Sequence, residues 1–118
     1  MTRALILAGA LALAIAMVTT AVAATRVYYE KPYGQVVSKP KRIEFSDLTL
    51  SKIHWRHWGR KTARGSGRAR TEAGSGTAKL KMFKRHKQGG KRFYGCMTGK
   101  TTINGSSERV VWPPGCSG

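Results

Sequence analysis

Acidic side chains are nearly missing from this chain: five Asp and Glu stand against 22 Lys and Arg in 118 residues. Glu30, Glu44, Asp47, Glu72 and Glu108 are scattered, and no spacing pairs two carboxylates for acid–base work on a glycosidic bond. No Gly-x-Ser-x-Gly elbow presents a nucleophilic serine. Cysteine is down to two, and the histidines His54, His57 and His86 have neither a HExxH glutamate nor a cysteine pair to complete a metal site. Apolar residues are also thinly supplied once the first 23 positions are set aside. These shortages leave hydrolytic, metal and cofactor chemistry without a sequence signature. The expectation is a non-enzymatic protein with no cofactor and no metal.

What the chain does have begins at its amino terminus. Arg3 precedes an apolar run from Ala4 to Val18, and Ala21-Val22-Ala23 supplies the small-x-small pattern cut by signal peptidase. Thr19 and Thr20 interrupt the run before the roughly 20 apolar residues that a spanning helix needs. Residues 1–23 therefore read as a signal peptide, with a cut after Ala23 or one residue later, and the mature chain as secreted, extracellular or cell-surface associated. Removing that segment takes away one cation, Arg3, and no acid. So large a positive excess outside the cell points to anionic partners: cell-wall polymer, nucleic acid or acidic lipid head groups.

The remainder is long enough for one small domain. Its apolar supply is Ile43, Phe45, Leu48, Leu50, Ile53, Trp55, Trp58, Leu80, Met82, Phe83, Phe93, Tyr94, Val110, Val111 and Trp112. Such a core gains from a staple, and an oxidising compartment permits one between Cys96 and Cys116. Closing a loop of about 20 residues contributes on the order of 3 kcal/mol in the chain-entropy picture.

Residues 24–41 read as an extended arm, because Pro32 and Pro40 forbid a helix. Val27-Tyr28-Tyr29 suits a short strand within it. Tyr28, Tyr29 and Tyr33 form either a stacking surface or pins that hold the arm to the body. Residues 42–118 read as the β domain. Ile43 and Phe45 alternate with polar neighbours, and so do Leu48 and Leu50. Ile53 and Trp55 follow on the other parity, which a bulge near Ser51-Lys52 reconciles. A helix through Leu50, Ile53, His54, His57 and Trp58, capped by Gly59, is the rival reading.

Ala63, Gly65, Gly67 and Ala69 then share one parity, and Arg64, Ser66, Arg68 and Arg70 the other. As a strand this segment has a small face, on which the indoles of Trp55 and Trp58 would lie, and an arginine comb. Gly74-Ser75-Gly76 reads as a loop. Gly89-Gly90 reads as a hairpin turn, placing Gln88 opposite Lys91, His86 opposite Phe93, Met82 opposite Met97 and Phe83 opposite Cys96. A last strand, Glu108 to Trp112, stops at Pro113-Pro114. The fold class expected is all-β, a small antiparallel β-sandwich or barrel of five or six strands.

The string Ile53-x-Trp55-x-x-Trp58-Gly59-x-x-x-Ala63-x-Gly65-x-Gly67 resembles a motif recurring in small, uncharacterised secreted proteins of actinobacteria. In those proteins an Asp and a Leu precede it, as Asp47 and Leu50 do here, and a β-rich segment with a Cys-x-Gly-like element follows, as Leu80 to Thr102 does with Cys96. The resemblance spans about half of the mature chain. It implies export and a β fold but no chemistry.

Two groups of cations stand out as a polyanion surface. Arg56, Arg60, Lys61, Arg64, Arg68 and Arg70 surround the glycine strand. Lys79, Lys81, Lys84, Arg85, Lys87, Lys91 and Arg92 follow the hairpin. Trp55, Trp58 and Tyr94 lie among them in sequence, where they would stack on bases or sugars. The alternative is a small nuclease-like toxin acting on RNA, for which Glu44 as base, His86 as acid and Arg64 on the phosphate are the nominees.

Overall fold

The structure, a computed structural model, describes residues 26–117, so the signal peptide expected at 1–23 lies outside the described residues. All regular structure among the described residues is strand: β1 (Val27–Glu30), β2 (Val36–Val37), β3 (Ile43–Glu44), β4 (Thr49–Arg56), β5 (Ala63–Thr71), β6 (Gly74–Gln88), β7 (Lys91–Ile103) and β8 (Ser106–Trp112). They join in one sheet ordered β2-β1-β7-β6-β5-β4-β3, with β8 also paired to β7. The all-β expectation holds, in the form of a single curled sheet resembling half a barrel. Its curl brings Phe45, just beyond β3, edge-on to Trp112 at the end of β8, with centroids 5.9 Å apart.

The sheet is mostly antiparallel but mixed, because β1 runs parallel to β7, with Val27 opposite Arg92 and Tyr29 opposite Tyr94. Parallel neighbours need a long connection, here everything from β2 to β6, so no short-range pattern announces them. One edge of β7 is consequently shared. β1 occupies it at Arg92–Tyr94, and β8 occupies it from Met97 to Ile103.

Local pattern predicts the central strands well. The β6–β7 hairpin has the expected register, including Gln88 opposite Lys91, Met82 opposite Met97 and Phe83 opposite Cys96. In β4 the ladder shifts between Ser51 and His54, with Lys52 at φ 49°, so Leu50 and Ile53 both reach the core despite their odd spacing. No helix forms there. Gly74-Ser75-Gly76 differs from the loop expected: it opens β6 and pairs with Thr71, Arg70 and Ala69. Ladder partners on β5 hold this flexible composition extended, and the turn falls on Glu72-Ala73 instead. The staple is present, with Cys96 and Cys116 bonded across a Cα–Cα distance of 5.8 Å.

The core lies inside the curl and gathers Val27, Tyr29, Ile43, Leu50, Ile53, Ala63, Ala69, Leu80, Met82, Tyr94 and Met97. Phe83, Phe93 and Val111, expected in it, are only half-buried and outside the central cluster. The small face of β5 does what its composition suggests for one indole: a Cβ built at Gly65 would sit 2.7 Å from the ring of Trp55. Trp58 instead stands edge-on between Trp55 and Tyr94, 5.0 Å from each. Both indole N–H groups point away from β5. Trp55 donates to the Pro40 carbonyl at 2.8 Å, and Trp58 to the Val27 carbonyl at 2.9 Å. The tryptophans thus tether the segment before β3 to the body, and that segment supplies Val27 and Tyr29 to the core.

Tyr94 completes the chain of rings. Its hydroxyl accepts the Gly59 N–H at 2.8 Å and donates to the Arg60 carbonyl. Tyr29, equally buried, has a hydroxyl with no hydrogen-bond partner among the described residues. Burial raises the pKa of both phenols; at Tyr94 the Gly59 N–H and the nearby Arg85 oppose that rise in part.

Gly65→Val should force the Trp55 ring off its seat and cost about 1–3 kcal/mol, seen as a lowered denaturation midpoint. The two tyrosines should respond differently to loss of the hydroxyl. Tyr94→Phe should cost about 1–3 kcal/mol by stranding the Gly59 N–H and the Arg60 carbonyl, whereas Tyr29→Phe should be neutral or stabilising. Since the folded phenols bind their protons more tightly than the unfolded ones, their stability contribution is complete below the ordinary tyrosine pKa of about 10 and is lost as pH rises above it. Alkaline denaturation monitored by circular dichroism should therefore steepen above that point, and Tyr29→Phe should soften it.

Candidate anion-binding face

Residues directly opposite across a ladder share a face of the sheet. From β4 to β8 the face opposite the core carries three successive rows. The first is Arg56, Arg64, Lys81, Thr98 and Val111; the second is His54, Ser66, Lys79, Lys100 and Arg109. The third is Ser51, Arg68, Thr77, Thr102 and Ser107, and Arg70 lies beyond it between Thr49 and Ser75. Cations thus sit directly opposite cations in Arg56–Arg64–Lys81 and in Lys79–Lys100–Arg109. Directly opposed side chains are roughly 4.5–5.5 Å apart at Cβ, a separation at which like charges destabilise a sheet.

Carboxylates do not relieve this repulsion. The one ion pair among the described residues is Arg42 Nε to Glu44 Oε1 at 2.7 Å, and it lies at the start of β3, outside these rows. A groove of about 470 Å³ runs over the face, with Arg64, Lys79, Lys81, Lys100 and Arg109 on its walls and Leu80 and Gly99 at its floor. Glu108 is the acid at its rim. Lys81 is braced over the Phe83 ring, 5.0 Å from the centroid, which holds its ammonium on this side. Chemically the face offers arginine forks and lysine point charges to oxyanions, on paired strands and with no ion pair to an acid among the described residues.

Of the residues expected from sequence, the fold brings Arg56, Arg64, Arg68, Arg70, Lys79 and Lys81 together here. Arg60 and Lys61 sit in the β4–β5 loop. Lys84, Arg85, Lys87, Lys91 and Arg92 occupy the distal part of the β6–β7 hairpin. There Arg85 Nη1 donates to the Gly59 carbonyl at 2.6 Å, and Lys91 lies over the Tyr28 ring. Trp55 and Trp58 are on the other side of the sheet with their N–H groups engaged, and Tyr94 is buried beside them. Their role in the fold is packing.

Lys100 and Arg109 were missed. The signal for them was Asn104-Gly105, a strong two-residue hairpin turn that pairs Ile103 with Ser106 and so sets Lys100 opposite Arg109. The residues nominated for RNA cleavage are dispersed over separate depressions: Glu44 beside Arg42 and Tyr33, His86 beside Phe93 and Gln88, and Arg64 on the cationic face. Glu44 is tied to Arg42, and His86 stacks on Phe93 with centroids 5.8 Å apart. Among the described residues no group of three or more His, Cys, Asp or Glu is placed to hold a metal ion. No family model matches the chain, and neither a curated protein nor a solved structure matches it.

Because the rows repel themselves, added salt should stabilise the fold. Raising NaCl from about 0.01 M to about 0.5 M shortens the screening length from roughly 30 Å to a few ångströms. The melting temperature should rise over that range. Lys100→Thr should raise the low-salt value and flatten the dependence; a melting temperature that falls with salt would contradict this picture.

Proposed function

We propose that this is a secreted, non-enzymatic β domain that associates through its cationic face with anionic extracellular or cell-surface polymers. In this reading the segment 1–23 is a signal peptide cut after Ala23. The Cys96–Cys116 bond is consistent with an oxidising compartment outside the cell. The likeness to small actinobacterial secreted proteins belongs to the same reading, since the residues of the shared motif serve packing here and carry no reactive group.

The observation that supports the function best is the pair of cation rows across β4 to β8, held on paired strands with no ion pair to an acid among the described residues. Oxyanions are their natural counterpart. A polymer of phosphates or sulfates would displace counterions and remove the repulsion between neighbouring strands in one step. Cell-wall polymer, nucleic acid and acidic lipid head groups all present that chemistry. The rows read charge spacing and not base edges, so affinity should depend strongly on salt and weakly on sequence.

Retention of the oxidised mature protein on immobilised heparin, DNA and anionic wall polymer, measured against salt, tests this. Each of Arg64→Ala, Lys79→Ala, Lys100→Ala and Arg109→Ala should lower the salt at elution. In solution each should reduce the slope of log affinity against log salt by about 1. Substitutions at Arg60 or Lys87, away from the rows, should have a smaller effect. Retention unchanged in all four face variants would remove the face from the function.

A further inference from the structure

A second feature of the surface is unrelated to the cation rows. Lys31-Pro32-Tyr33-Gly34 forms a tight turn closed by the Gly34 N–H donating to the Lys31 carbonyl at 3.0 Å, with the Lys31 N–H donating to the Gln35 carbonyl at 2.8 Å. Proline followed by a residue with positive φ is the type II arrangement, whose third position calls for glycine or asparagine. That position holds Tyr33, at φ 72°. Its ring makes little use of the fold, being 80% exposed, the most exposed large hydrophobic side chain among the described residues. An aromatic residue in the left-handed region, largely presented to solvent, is strain with little packing return, and such strain concentrates at binding sites.

Tyr33 stands as a ridge between two depressions, one of about 640 Å³ and one of about 720 Å³. The first is bordered by Gln35, Arg42 and Glu44. The second lies where β1 and β8 leave the shared edge of β7 uncovered around Gly95, and is bordered by Glu30, His86, Gln88 and Trp112. These rims differ from the cationic face in one decisive respect. Two of the chain's five carboxylates are here, beside amides and cations. A polyanion gains less here than on the cation rows, because Glu30 and Glu44 stand among Lys31, Arg42 and Lys91, with Glu44 tied to Arg42. A ligand rich in hydroxyl groups, each both donor and acceptor, is matched by the mixture. The apolar face of a sugar ring suits an exposed phenol whose body is apolar and whose tip is polar.

We infer that the Tyr33 ridge and its two flanking depressions bind a saccharide chain, one ring stacked on Tyr33 and its neighbours hydrogen-bonded in the depressions. This site is separate from the polyanion face, and either stands without the other.

The test uses the oxidised mature protein with hexamers of β-1,4-linked N-acetylglucosamine and of β-1,4-linked glucose, followed by nuclear magnetic resonance and calorimetry, with a single-stranded oligonucleotide as comparison. Saturable binding to a hexamer that survives high salt and shifts resonances around Tyr33 is the expected result. Tyr33→Gly relieves the backbone strain, so it should melt no lower than the parent while losing at least tenfold in affinity. Lys79→Ala with Lys100→Ala should leave hexamer binding unchanged and weaken the polyanion alone, so the two sites fail independently. The inference is overturned if neither hexamer binds at millimolar concentration, if Tyr33→Gly binds as well as the parent, or if only the oligonucleotide engages Tyr33.

Discussion

Contact between the Trp55 indole and the bare backbone of Gly65 is the constraint on which the rest of the structure depends. It requires a strand with no side chain at that point, and it sets how closely β4 and β5 curl together. From it follows the position of Trp58, edge-on to Trp55, and then of Tyr94, edge-on to Trp58. The polar tips of the three rings are spent on backbone groups of Pro40, Val27, Gly59 and Arg60. Through those bonds the segment before β3, the β4–β5 loop and β7 are all referred to one aromatic column. The cost of a ring leaving it includes unpaired buried polar groups as well as lost contact area.

This column explains the spacing of the tryptophan–glycine motif. Ile53 and Ala63 are core residues, Trp55 lies over Gly65, and Gly67 passes beneath Ile53 and the Ser51 carbonyl. Gly59 presents its N–H to Tyr94. Every named position of the motif has a steric or hydrogen-bonding duty inside the fold. Surface chemistry is left to the residues between them, among which are His54, Arg56, Arg60, Lys61, Arg64 and Ser66. Packing residues and exposed cations are thus interleaved at alternate positions of the same strands, which is possible because successive side chains point to opposite faces.

That interleaving also accounts for what was legible from pattern alone. Alternation showed the small face and arginine comb of β5, and Gly89-Gly90 placed β6 and β7 in register. Two parities in β4 implied the bulge near Lys52. Each of these signals spans a few residues, and antiparallel neighbours joined by short turns keep the partners that local spacing assigns them. Gly74-Ser75-Gly76 misled because composition measures intrinsic flexibility, whereas the ladder with β5 decides the conformation. Trp55 and Trp58 misled as stacking platforms because their sequence neighbours are cations that point the other way.

By itself the sequence determined the class of fold, the disulfide, the register of the central hairpin and most of the cations on the candidate face. Each depends on alternation, turn residues or composition, which are local properties of the chain. Tertiary structure alone decided that β1 enters parallel beside β7, that the sheet curls until Phe45 meets Trp112, and that Tyr33 stands between two depressions. It also decided that cations of β4 to β8 align in rows without a carboxylate among them. These features join residues far apart along the chain, and their geometry follows from how the curled sheet buries its rings, a many-body outcome that no short window of sequence contains.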